Sequence, residues 1–191
     1  MIKAIILDCF GVVYEDNFSD VYAYFGGDIK KDEKLIHDTF HASNSGKIPS
    51  SSAVLAEHLE VSVEEYQRVN DADRGVNEEL LEYIKTLRDQ YKTALLTNIG
   101  SNGVERYIPR QVLDEHFDVV VESAKIGFAK PEARAYEITA ERIGVRLDEC
   151  IFIDDREEYI EGATHVGMKA LLYEDFASFK KELEGILLLR R

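Results

Sequence analysis

Five short apolar runs, at residues 3–8, 92–97, 117–121, 150–154 and 168–173, are continuous rather than alternating. A strand with one wet face alternates apolar and polar residues. A strand covered on both faces does not, so these runs predict buried parallel strands. Between the later runs the spacing becomes helical: Leu80, Leu81, Ile84 and Leu87 recur over residues 78–90, with Asn77 placed as an N-cap. Residues 132–143 form a second such segment, with Pro131 at its start and Gly144 at its end. Strand and helix alternate, which predicts an α/β fold with a doubly wound, Rossmann-like parallel sheet.

The alternation breaks once. From residue 15 to 76 there is no strand-like run, only helical pieces near residues 18–25, 31–41, 50–60 and 62–71, the last with Ser62 and Glu65 at capping-box spacing. Roughly 60 residues of helix is too much for a loop. A small all-helical cap domain is expected over residues 15–76, with the core formed by residues 1–14 and 77–191. The polar stretch SNSGKIPSSS, residues 43–52, reads as a turn inside that cap rather than a linker.

Composition narrows the partners. The 191 residues suffice for one well-cored domain carrying an insertion, and 45% apolar with 31% charged residues is ordinary for a soluble globular chain. A net charge of −14 argues against nucleic acid or an anionic membrane as partner. Cys9 and Cys150 form no spaced ligand motif and read as buried thiols. There is no apolar stretch long enough to span a bilayer and no signal-like N-terminus, so a cytoplasmic location is expected.

The candidate chemistry lies where the apolar runs stop. The first ends at Asp8, and the second in ALLTNIG with Thr97 and Asn98. Lys125 and Lys130 follow the third, and the fourth ends in Asp154 with Asp155 beside it. Alone, each is an ordinary turn residue or surface charge. In a parallel sheet the strand ends share one edge, so these residues converge. Three carboxylates gathered there repel one another unless a cation is present, and hard oxygen donors suit Mg²⁺.

In this order the motifs resemble the haloacid dehalogenase-like hydrolase superfamily across essentially the whole chain. The resemblance rests on Asp8, Thr97, Lys130 in a Lys-Pro setting, and the stretch FIDDREEYIEGATHVGMKALLY that contains Asp154 and Asp155. The helical insertion after the first strand fits the family's small cap. The resemblance implies a Mg²⁺-dependent phosphatase acting on a small phosphorylated metabolite through an aspartyl-phosphate on Asp8. It implies Mg²⁺ at Asp8, the Phe10 backbone carbonyl and Asp155, with Asp154 as a direct or more remote ligand. Thr97 and Asn98 would bind the phosphate, and Lys130 would offset charge on nucleophile and phosphoryl group.

Two positions depart from the pattern. Phe10 stands where the family's phosphatases usually carry a second Asp that protonates the leaving group, help worth about 10²–10⁴-fold. Tyr159 stands where relatives often have Asn or Asp. Two alternatives follow. One is a catalytically weak or inactive relative that binds a phosphorylated ligand or a protein partner. The other is a 2-haloacid dehalogenase, which carries an aromatic residue at the Phe10 position; against it stand the acidic pair and a cap whose first arginines are Arg68 and Arg74. Substrate choice is expected in the cap, with His37, His41, Lys47 and Arg74 as candidate grips, and Arg156 beside the acidic pair.

Overall fold

β1 (Ala4–Leu7) is the middle strand of a five-stranded parallel sheet. The structure is a computed structural model that describes residues 1–72 and 74–188. Asp73 and residues 189–191, which the expected cap and core ranges include, lie outside the described residues. After β1 come α1 (Phe18–Tyr24), α2 (Glu33–Asn44), α3 (Ser51–His58) and α4 (Val63–Asn70). The chain then returns through α5 (Glu78–Leu87) and β2 (Lys92–Thr97). Next are α6 (Arg110–His116), β3 (Val119–Glu122), α7 (Ser123–Ile126) and α8 (Ala133–Ile143). β4 (Cys150–Asp154), α9 (Glu157–His165), β5 (Lys169–Leu172) and α10 (Phe176–Leu188) complete it. The order β3-β2-β1-β4-β5 means that the chain winds outward from β1 and then crosses back over it to β4. The crevice between the ends of β1 and β4 is therefore the switch point of the sheet.

The unbroken apolar runs follow from coverage on both faces. Ile5, Leu7, Leu95, Ile151 and Ile153 point into one core with Leu80 and Ile84 of α5, Leu113 of α6 and Leu183 of α10. Their neighbours Ala4, Ile6, Leu96 and Phe152 point the other way, against Tyr136 of α8 and Ala163 of α9. Three of the strands, β1, β3 and β5, start later than expected. Phe117 and Met168 are buried yet unpaired, one closing α6 and the other bonding back to Ala163. Hydrophobicity reports burial, and pairing is a separate matter. Likewise α8 starts at Ala133, two residues past Pro131, though Gly144 ends it as expected.

Between β1 and α5 the described residues form the helices α1–α4 joined by turns, with an apolar cluster of their own that includes Val21, Tyr22, Ile36, Leu55 and Tyr66. The entry and exit of this insert run side by side: Tyr14 bridges Val76, Glu15 N–H donates to Gly75 C=O (3.2 Å) and Asn77 N–H to Val13 C=O (2.8 Å). The α2–α3 turn reaches the sheet edge, where a Cβ at Gly100 would collide with the Ser43 hydroxyl and the Pro49 carbonyl. Arg106 and Asp71 form an ion pair (2.5 Å) from the core side to the insert. Among the described residues no helix is long and apolar enough to cross a membrane.

Candidate active site

The residue after β1 and the last residue of β4 meet through one lysine. Lys130 Nζ lies 2.6 Å from Asp8 Oδ1 and 2.6 Å from Asp154 Oδ2, and all three side chains are nearly or wholly buried. The second Asp154 oxygen accepts from Arg156 N–H (3.0 Å), so both of its oxygens are engaged. Lys130 is held from behind by Asn98: Lys130 N–H donates to Asn98 Oδ1 (2.9 Å), and Asn98 Nδ2 donates to Lys130 C=O (2.9 Å) and to Tyr159 OH (3.3 Å). Its ammonium also sits over the rings of Phe152 (5.3 Å) and Tyr159 (4.8 Å). Lys125 goes elsewhere, its exposed ammonium pairing with the buried Glu122.

Charge is unbalanced here. Burial, opposed by Lys130 and reinforced by Asp154, pushes Asp8 up to about 7. Loss of solvent around its carboxylate, together with Asp154, pushes Asp155 up to about 6. Burial works against the Lys130 charge, but Asp8 and Asp154 outweigh it and hold the group above its ordinary value. Three carboxylates thus face one ammonium, and an oxygen from each of Asp8, Asp154 and Asp155 lies within 4.8 Å of the others. Gly11, at φ +89°, leaves the space that the Asp155 carboxylate fills; any Cβ there would strike it. Thr97 Oγ1 is buried with no hydrogen-bond partner. These residues fit a hard divalent cation.

A cavity of about 260 Å³ opens over this cluster. Asp8, Phe10, Asn98, Lys130 and Asp155 are on its wall, whereas Thr97 and Asp154 lie behind it. Of the residues suggested for gripping a substrate, Arg74 and Arg156 line it and His37, His41 and Lys47 do not. The insert also supplies Phe18, Phe40, Leu55 and Tyr66, and the core Tyr107. Nothing in the residue pattern singles these out, because aromatic residues at helical spacing read as core. Cys9 and Cys150 are buried free thiols.

A family model for haloacid dehalogenase-like hydrolases matches residues 2–167. A phosphatase of Mycobacterium tuberculosis is 45% identical over 62 residues, covering 32% of this chain and 29% of that protein. The bifunctional epoxide hydrolase 2 of Rattus norvegicus is 30% identical over 120 residues, covering 60% of this chain and 22% of that protein. The chain therefore spans less than a third of the length of either relative. Among solved structures, a Bacteroides thetaiotaomicron enzyme of the same family, in complex with magnesium and inorganic phosphate, superposes with a TM-score of 0.72 at 20% identity. The match covers 94% of this chain and 99% of that one.

Proposed function

The chain belongs to the haloacid dehalogenase-like hydrolases, and on that premise we propose that it is a Mg²⁺-dependent phosphatase of small phosphorylated metabolites, with Asp8 as nucleophile. The observation that carries this reading is the meeting of Asp8, Lys130, Asp154 and Asp155 at the sheet switch point, beneath a cavity. The kinship to a phosphatase and to a family member holding magnesium and phosphate supports it. The acidic pair counts against a dehalogenase, whose halide leaves without a cation to help it.

Asp8 and Asp155, with the Phe10 backbone carbonyl, would hold Mg²⁺; bound there, the ion offsets the repulsion between a carboxylate nucleophile and a phosphate dianion. Lys130 offers its remaining positive field to the phosphoryl oxygens and orients Asp8. Asp154 acts through Lys130 and the Arg156 amide, both of which it already binds. Thr97 contributes a hydroxyl in need of a partner. Asn98 lines the cavity and would meet the phosphate there, and its side chain, bonded to the Lys130 peptide, also places the lysine. Asp8 attacks phosphorus, the P–O bond to the leaving group breaks, and water then hydrolyses the aspartyl-phosphate. Phe10 has no proton to give, so the leaving group departs as its anion or draws a proton from water. The insert, residues 15–76, serves as a cap over the core of residues 1–14 and 77–191, a division supported by its separate apolar cluster and its paired entry and exit.

The test is hydrolysis of nitrophenyl phosphate with and without Mg²⁺. Turnover should require the metal and vanish in Asp8→Asn, which keeps the side-chain shape but not the nucleophile. Wild-type-like turnover in that variant would falsify Asp8 as nucleophile. Chloride release from 2-chloropropionate without metal would favour the dehalogenase instead.

A further inference from the structure

Three cationic side chains line the cavity: Lys130, Arg156 and Arg74. Two are already matched. Lys130 is held between Asp8 and Asp154, and Arg156 donates to Glu158 (3.0 Å) while its guanidinium lies over the Tyr159 ring (4.6 Å). Arg74 differs. Its Nη2 donates to the neutral Asn70 Oδ1 (3.1 Å), its Nε is buried without a partner, and among the described residues no carboxylate lies within ion-pair distance of it. A guanidinium presents five donors in one plane, and a buried donor left unpaired keeps its desolvation penalty. Among the described residues, Arg74 is thus the cavity cation without an acidic partner, in a chain of net charge −14.

The surroundings of Arg74 suit an anion. Tyr66, only 2% exposed, and Tyr107 share the wall. Burial pushes the Tyr66 phenol up to about 12, against the pull of Arg74 and with Tyr107 and Asp16, which also lines the cavity, on its side; the hydroxyl therefore stays protonated as a further donor. Asn70 holds the guanidinium through its Oδ1 while its Nδ2 donates to Asp71 (2.9 Å), and the nearby Phe18, Phe40 and Leu55 make the wall apolar, which strengthens any charge pairing inside it. Arg74 stands on the insert's return to the sheet, a different segment of the cavity wall from Asp8, which follows β1, and Lys130, which precedes α8.

We propose that Arg74 forms a second anion subsite of this cavity, so that the preferred substrates are phosphate monoesters carrying a further anionic group, a carboxylate or a second phosphate. This rests on the phosphatase reading of the same cavity, with the ester phosphate at Asp8 and Lys130 and the distal anion at Arg74. A planar guanidinium fork takes either a carboxylate or a phosphate in two parallel hydrogen bonds.

The test is calorimetric titration, with Mg²⁺ present, of the Asp8→Asn protein, which holds a substrate without turning it over. The probes come in pairs: phosphoglycolate against ethyl phosphate, and fructose bisphosphate against fructose monophosphate. In at least one pair the doubly anionic member should bind roughly ten- to a hundredfold more tightly, the usual worth of a hydrogen-bonded charge pair. The pair that responds tells carboxylate from phosphate. Adding Arg74→Gln should remove most of the advantage and Arg74→Lys only part of it. If the Gln variant does not fold, Arg74→Met, which keeps the apolar stem, takes its place. Equal affinities within both pairs, or an advantage that survives the neutral variant, overturn the subsite and leave the phosphatase reading standing. Failure of every probe to bind overturns the phosphatase reading, and the subsite with it.

Discussion

Phe10, at the position where the resemblance leads one to expect an acid, is packed among aromatic rings. Its ring meets Tyr107 edge-on (5.1 Å between centroids, 89°) and Tyr14 likewise (6.0 Å, 83°). With no proton donor there, turnover should depend steeply on the leaving group. Nitrophenyl phosphate should react at least about 10²-fold faster than an alkyl phosphate, and Phe10→Asp should narrow that gap by speeding the alkyl ester. Equal wild-type rates on both esters, with chemistry limiting, would assign the proton to another residue. Because Asp loses both ring contacts and brings a carboxylate into an aromatic site, the variant's fold and Mg²⁺ affinity are measured alongside its rate. At this scale the sequence was informative about identity and silent about environment. That Lys130 enters the site while Lys125 pairs outside it depends on where the segment after β3 lies, which no local pattern encodes.

Helix ends were the best-marked features of the elements. Asn77 Oδ1 accepts from Leu80 N–H (3.1 Å) at the start of α5, as its position before a helical run suggests. Ser62 Oγ accepts from Glu65 N–H (3.1 Å), although among the described residues the reciprocal half of the capping box is not formed. Asn77 does more than cap, because its Nδ2 donates to Val12 C=O (3.2 Å) and Tyr173 OH (2.8 Å). It therefore ties α5 to the loop after β1 and to the end of β5. Asn77→Ala should destabilise the fold by about 1–3 kcal/mol, more than a surface cap alone, as read from the denaturation midpoint. Asn77→Asp keeps the acceptor and loses both donors, so it should fall between.

For the molecule as a whole, the charged cluster predicts a coupling of stability to pH and metal. Without metal, the folded state raises Asp8 from 3.8 to about 7 and Asp155 from 3.8 to about 6. A raised folded value means that the native state holds these protons more tightly than the unfolded chain. The stability they contribute is complete below about pH 3.8 and is lost as pH rises through 6 to 7. In chelator, the melting temperature of the wild type should therefore fall relative to Asp8→Asn across that window. Mg²⁺ should restore it at the upper end, since the ion binds the folded carboxylates. A difference curve that is flat in pH would mean that Asp8 titrates normally in the fold.

The α/β class, the five buried strands, the helical interruption and the order of Asp8, Thr97, Lys130 and the acidic pair were all determined by the sequence alone. Each rests on periodicity or on the spacing of a few residue types, which are properties of the chain itself. The tertiary structure alone decided which side chains share a space. It committed the Asn98 amide to the Lys130 peptide, set Asp154 behind the lysine, and put Arg74 on the cavity wall while leaving His37, His41 and Lys47 outside. The first two depend on how the segments after β2, β3 and β4 meet at the sheet edge, and the last on how the insert lies against that edge. Both arrangements are set by packing between residues far apart in sequence, so no local pattern along the chain could reveal them.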